Sequence, residues 1–106
     1  MQTQIHPWDI AKGALTHKLI QTLHVPSSKF RISPHEYSAE TQFGGSARAQ
    51  RFYLIAGTCE YRIGESTWKM DGPCYADIPE GEFSILVGPT SVKIVQVWEL
   101  PSGFHQ

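Results

Sequence analysis

The sequence is poor in the features that would sort it into a specialised class. It holds only two cysteines in 106 residues, too few for a disulfide-built scaffold. No apolar run approaches the ~18 residues that a membrane span needs, so no membrane partner is expected. Nine Lys and Arg stand against ten Asp and Glu, for a formal net charge of -1. The basic residues are scattered, which leaves no stripe for nucleic acid. The stretch MQTQIHPWDI has neither the charged nor the apolar region of a secretory signal, and a cytoplasmic location is expected. No Ser-His-Asp or Cys-His signature and no phosphate loop stands in the chain. Internal repeats and low-complexity segments are missing as well.

What remains is ordinary globular composition, 41% hydrophobic and 18% charged, at a length suited to one domain over residues 1–106. Nine glycines and seven prolines fall almost wholly between short apolar runs, the spacing of a meander of strands. The clearest stretch is 50–87. RFYLIAG turns at Gly57 into CEYRI, where Cys59, Tyr61 and Ile63 alternate with Glu60 and Arg62. That period of two marks a half-buried strand. Gly64-Glu65 makes a tight connection into STWKM, so 58–70 read as a β-hairpin. Asp71-Gly72-Pro73 breaks the chain before CYADI, and Pro79-Glu80-Gly81 before FSILV.

Around this stretch the expectations are plainer. Residues 1–12 read as an irregular opening segment in which Trp8 covers one edge. Leu15, Leu19 and Leu23 suit either a strand or a helix; the β-branched Thr16, Ile20, Thr22 and Val25, with Pro26 as a stop, favour a strand over 15–25. KFRIS is a short strand after the turn Pro26-Ser27-Ser28. Gly44-Gly45-Ser46 reads as a flexible loop tip. In VKIVQVWEL, Val92, Ile94, Gln96 and Trp98 share one face, and the opposite face also carries apolar residues. A strand buried on both sides suggests a partner, and with three tryptophans in so short a chain it motivates a homodimer. Residues 101–106 read as a tail.

The central stretch resembles the cupin superfamily, whose fold is a double-stranded β-helix. YLIAGTCEYRI is similar to that family's strand, glycine, strand segment, and GPCYADIPEGEFS to its second motif, with a glycine, then Pro-x-Gly. The resemblance covers roughly the last two thirds of the chain and implies an all-β cupin-type barrel. It also implies where metal ligands would stand: a His-x-His pair near 43–46, a glutamate seven before Gly57, and a histidine three after Gly81. This sequence has Phe43, Gly44, Gly45 and Ser46 at the first, Gln50 at the second and Ser84 at the third. Amide and hydroxyl are poor ligands for transition metals, so a barrel without metal or other cofactor is expected. His35, Glu36 and Glu40 stay open as displaced ligands. Cys59 reads as a small buried hydrophobe; a Cys59–Cys74 bridge between barrel strands is conceivable and disfavoured in a cytoplasmic setting.

If the family's ligand positions face inward, so do Gln50, Phe52 and Leu54, and Ser84 and Leu86. An amide and a hydroxyl among apolar walls suit a site that orients a small organic ligand. The candidate ligand-binding residues are these five with Ser46 and Tyr75. Gln50 and Ser84 satisfying each other or a buried water is the structural alternative. Titratable candidates are His17, His24, His35, Tyr37, Tyr53, Tyr75, Asp77 and Glu82. Arg48 and Arg51 flank Gln50 and suit a carboxylate or phosphate, with Arg51 pointing outward. Two functions follow. One is a binding module for a small organic ligand. The other is a metal-independent enzyme: an isomerase, epimerase or cyclase, or a protein like the small nucleoside phosphorylases, whose tail is similar to Trp68, Pro79 and EFSILVGPTS here, although their early Gly-Lys-Val segment is not recognisable at 10–25.

Overall fold

In the computed structural model, which describes residues 5–100, nine strands form two antiparallel sheets. They are β1 (Ile5–Pro7), β2 (Phe30–Tyr37), β3 (Gln42–Ala47), β4 (Gln50–Ala56), β5 (Thr58–Ile63), β6 (Ser66–Asp71), β7 (Cys74–Ile78), β8 (Gly81–Val87) and β9 (Val92–Glu99). One sheet runs β1-β7-β4-β9-β2 and the other β3-β8-β5-β6. Strands consecutive in sequence mostly change sheets, which is how a double-stranded β-helix winds. The expected tail at 101–106 lies outside the described residues.

The period-two patterns set the inner faces. Phe52 and Leu54 of β4, Tyr61 of β5, Ile85 of β8 and Ile94 of β9 are each at most 2% exposed and meet in one core between the sheets. The hairpin forms as expected, Thr58 opposite Asp71 through Ile63 opposite Ser66. Gly64, at φ 57°, takes the left-handed turn position that glycine holds without strain. Cys59 and Cys74 are free thiols buried in this core. Burial pushes Cys59 up to about 12 and Cys74 to about 11.

Several local expectations are corrected. The opening segment is not wholly irregular: Ile5–Pro7 pairs with Cys74–Ala76 as an edge strand. Asp9 then caps a single 3-10 turn, accepting from the Ala11 amide at 3.0 Å. Residues 15–25 are not a strand but contain the helix α1, His17–Leu23. Thr16 is its N-cap, its hydroxyl accepting from the Leu19 amide at 3.1 Å; that capping bond and the three-to-four spacing of Leu19, Ile20 and Leu23 outweigh β-propensity. Gly44-Gly45-Ser46 is no loop tip: all three pair with Ser84, Phe83 and Glu82 in mid-strand. The KFRIS strand runs on through Pro34 to Tyr37, tolerated because β2 is a sheet edge, where proline removes no ladder bond that is needed.

The helix explains the two-sided final strand. Val95 and Val97, on the outer face of β9, pack with Leu15 and Ile20 and with Tyr53 of β4 in a second buried cluster, joined by Trp8. The chain's own α1 layer thus covers the face that suggested a homodimer. That argument for a partner falls away.

Candidate functional site

Between the two sheets, at the end where β2 and β4 begin and β9 finishes, lies an open cavity of about 650 Å³. Register brings its walls together. Arg31 of β2 lies opposite Trp98 of β9, and Ser33 opposite Gln96. Phe52, one step inward from Gln50, pairs with Gln96 from the other side. Phe83 of β8 and Ser46 and Arg48 at the end of β3 close the second wall.

Gln50 is the buried polar residue of this cavity, 7% exposed. Its Nε2 donates a long 3.5 Å bond to the Arg48 carbonyl, while no group among the described residues pairs with its buried Oε1. A buried amide oxygen without a partner costs about 1–3 kcal/mol. Two more buried atoms lack a protein partner, Tyr61 Oη and Trp68 Nε1. Their rings are neighbours at 5.8 Å, and Tyr61 stacks on Phe83 at 5.6 Å. Burial pushes the Tyr61 phenol well above its ordinary range. Ser33 Oγ shares a 2.8 Å hydrogen bond with His35 Nε2, which links the cavity wall to an imidazole.

Of the residues proposed from sequence, Gln50, Ser46 and Arg48 line this cavity. Phe52 and Leu54 lie deeper, fully buried in the core. Ser84 and Leu86 do not face inward. On β8 it is Ile85 and Val87 that are buried, while Leu86 is 45% exposed, so alternation turns Ser84 and Leu86 to the outer face. Gln50 and Ser84 therefore cannot satisfy each other. Tyr75 is also outside the barrel: it packs in the α1 layer, stacked on His6 at 5.0 Å. Among the described residues no three of His, Cys, Asp and Glu gather as a metal-ligand group, so His35, Glu36 and Glu40 do not assemble one.

Sequence reasoning missed Arg31 and Ser33. Phe30 and Ile32 gave β2 an apolar face, and that face packs under α1, with Phe30 also at the edge of the cavity. Gln96 and Trp98 were recognisable from their face shared with Val92 and Ile94, once that face is known to be the inner one.

The other titratable candidates form a separate cluster on the outer face. Arg51 Nε donates to Asp77 Oδ1 at 2.8 Å and its guanidinium lies 4.8 Å from the Tyr75 ring centre. Its hydrogen bond holds the Asp77 carboxyl below the usual range, against the opposing effect of burial. His24, at the C-cap of α1, bonds Tyr53 Oη through Nε2 at 2.9 Å. Burial, then the charge of Arg51, lowers the His24 pKa from 6.5. Burial also raises Tyr53, partly opposed by a hydrogen bond from Arg51. His17, by contrast, is the first residue of α1, Tyr37 stacks on Phe43 at 4.1 Å, and Glu82 is an exposed residue of β8.

The folded chain thus holds fewer protons on His24 than the unfolded one, and stability falls as pH drops from 6.5 toward the lowered value. Arg51, Asp77 and Tyr53 face the same region. Wild type should lose melting temperature between pH 7 and the low side of that window, and His24→Gln should flatten the slope. A variant with an unchanged slope would exclude His24 as its source.

No protein-family profile matches the sequence, and no curated protein matches it. Solved structures do. The cupin domain of Schizosaccharomyces pombe Cnp3 superposes with TM-score 0.57 at 16% identity, over 70% of this chain and 56% of that one. The Clostridium difficile EutQ protein gives 0.57 at 20% identity, over 74% and 61%. A cupin superfamily protein of Desulfitobacterium hafniense gives 0.60 at 9% identity, over 94% and 79%. The chain therefore spans little more than half the length of the first two. At these identities the likeness is one of fold: the chain has a small all-β barrel with the fold seen in cupin domains.

Proposed function

We propose that the chain binds a small organic molecule in the cavity at the barrel mouth. The observation that carries this is Gln50, a 7%-exposed amide whose Oε1 meets no donor among the described residues on the wall of a space of about 650 Å³. Pockets for small molecules pair apolar walls with a few placed polar groups. Here Trp98 and Phe83 give the first, and Gln50, Gln96 and Ser33 the second. A ligand hydroxyl or N–H donating to Gln50 Oε1 supplies the bond the fold leaves open.

Binding is favoured over catalysis because, among the described residues, the cavity wall includes no Asp, Glu, His, Cys or Tyr, the groups that general acid–base chemistry uses near neutral pH. One contact supports the metal-independent enzyme as a second reading. His35 reaches the wall through Ser33 at 2.8 Å, and a substrate proton passed by that hydroxyl would have a base behind it.

The test is a ¹H–¹⁵N NMR titration of the whole chain with sugars, nucleosides and small organic acids at millimolar concentration. Shifts should concentrate on the side-chain amides of Gln50 and Gln96 and the indole of Trp98. Shifts confined to the α1 face, or none at all, would contradict the assignment. A compound that is transformed during the titration, with turnover lost in His35→Gln, would favour the enzyme.

A further inference from the structure

We infer that the occupant of this cavity carries an oxyanion, a carboxylate or phosphate group, gripped at the mouth by Arg31 and Arg48 while its body reaches inward to Gln50. This rests on the cavity being a ligand site, and adds which chemistry that site selects.

The first ground is local charge. The chain as a whole carries a formal charge of -1, yet among the described residues the cavity wall contains two arginines and no carboxylate. A mouth of one sign with low-dielectric walls concentrates the opposite charge. The second ground is that no ion pair among the described residues engages these guanidinium groups. Among the described residues the ion pairs are Arg51 with Asp77 and Arg62 with Glu60. Glu80 and Glu82 share an adjoining groove with Arg48 and Ser46 but form no ion pair with Arg48. Both arginines are exposed.

Their placement is the third ground. Arg31 stands near the start of β2, on the five-stranded sheet, and Arg48 just after β3 of the four-stranded one. The two sheets therefore each bring one cation to the same opening. Guanidinium offers paired N–H donors that match the two oxygens of a carboxylate or phosphate. Behind them the wall changes character, with the ring surfaces of Trp98 and Phe83 and then the Gln50 amide. The matching molecule has an anionic head, an apolar or ring-shaped body, and a hydroxyl or N–H at the far end.

Matched probes test this: 4-hydroxybenzoate against 4-hydroxybenzamide for the carboxylate, and phenyl phosphate against phenol for the phosphate. Affinities are read from NMR shifts at Trp98 and Gln96. The charged member of at least one pair should bind about tenfold or more tightly. High salt should narrow that preference, because exposed charges are screened. The double variant Arg31→Gln, Arg48→Gln should erase the preference and leave binding of the neutral member in place. Which pair shows the effect separates carboxylate from phosphate. Equal binding of neutral and charged members, or a preference that survives in the double variant, overturns the oxyanion assignment and leaves the cavity a binding site. No shift at the cavity with any probe overturns both.

Discussion

Replacing Phe52 by alanine is expected to remove about 3–5 kcal/mol of stability. The ring is 0% exposed and stands edge-on to Tyr61 at 5.2 Å with an interplanar angle of 79°. It therefore joins β4 of one sheet to β5 of the other. Truncation loses both the transfer free energy of the ring and its packing, and a β-sheet framework held on both sides has little freedom to collapse into the space. A domain of this size has only about 5–15 kcal/mol in total, so the variant should unfold at a much lower urea concentration. A loss below about 1 kcal/mol would mean that the two sheets do not close over this residue.

Gly57→Val is expected to be comparably damaging, by backbone rather than by core. Gly57 joins β4 to β5 at φ 90°, where side chains other than glycine's are strained by about 1–2 kcal/mol. A Cβ there would also lie 2.6 Å from the Ser91 carbonyl oxygen and 2.8 Å from Val92 Cγ1. Overpacking of that kind costs a further ~1–3 kcal/mol. Gly57 O accepts from the Gly72 amide at 2.9 Å, so any shift of the turn disturbs the connection between β6 and β7 as well. Gly64→Ala is the control. It has a positive φ of 57° but nothing within 4 Å of the added carbon, and should lose only the conformational part, about 1 kcal/mol. Equal melting temperatures for the two variants would contradict the steric account.

The barrel was legible in the sequence because its signals are local. Period-two alternation in 58–63, the Gly64-Glu65 turn and the Pro-x-Gly break each specify one element without reference to the rest. The misreading of β2 has a physical cause: the five-stranded sheet is covered on both faces, by the barrel core within and α1 without. Apolar alternation then tells which residues share a face but not which face is the interior. That is why Phe30 and Ile32 obscured Arg31 and Ser33. On β8 a count carried over from the cupin motif placed Ser84 and Leu86 inward, one residue out of phase with Ile85 and Val87. A one-residue slip exchanges the two faces of a strand completely. Gln50 was placed correctly by the same kind of count because its neighbours Phe52 and Leu54 keep the phase. Helix α1 was missed because its signals, the spacing of four in Leu15, Leu19 and Leu23 and the Thr16 cap, stand against a run of β-branched residues.

Gln50 tests the central claim most directly, since a residue kept for binding and one kept for stability respond in opposite ways to Gln50→Leu. Leucine fills similar volume and removes an amide whose Oε1 has no partner among the described residues. Urea unfolding of the two proteins, with the titration repeated on the variant, is the measurement. Stability should be unchanged or raised by up to about 1–3 kcal/mol, while the shifts at Gln96 and Trp98 disappear. A variant that is clearly less stable and still binds the same probes would contradict the account: Gln50 would then be part of the framework, and the ligand, if there is one, would be held elsewhere.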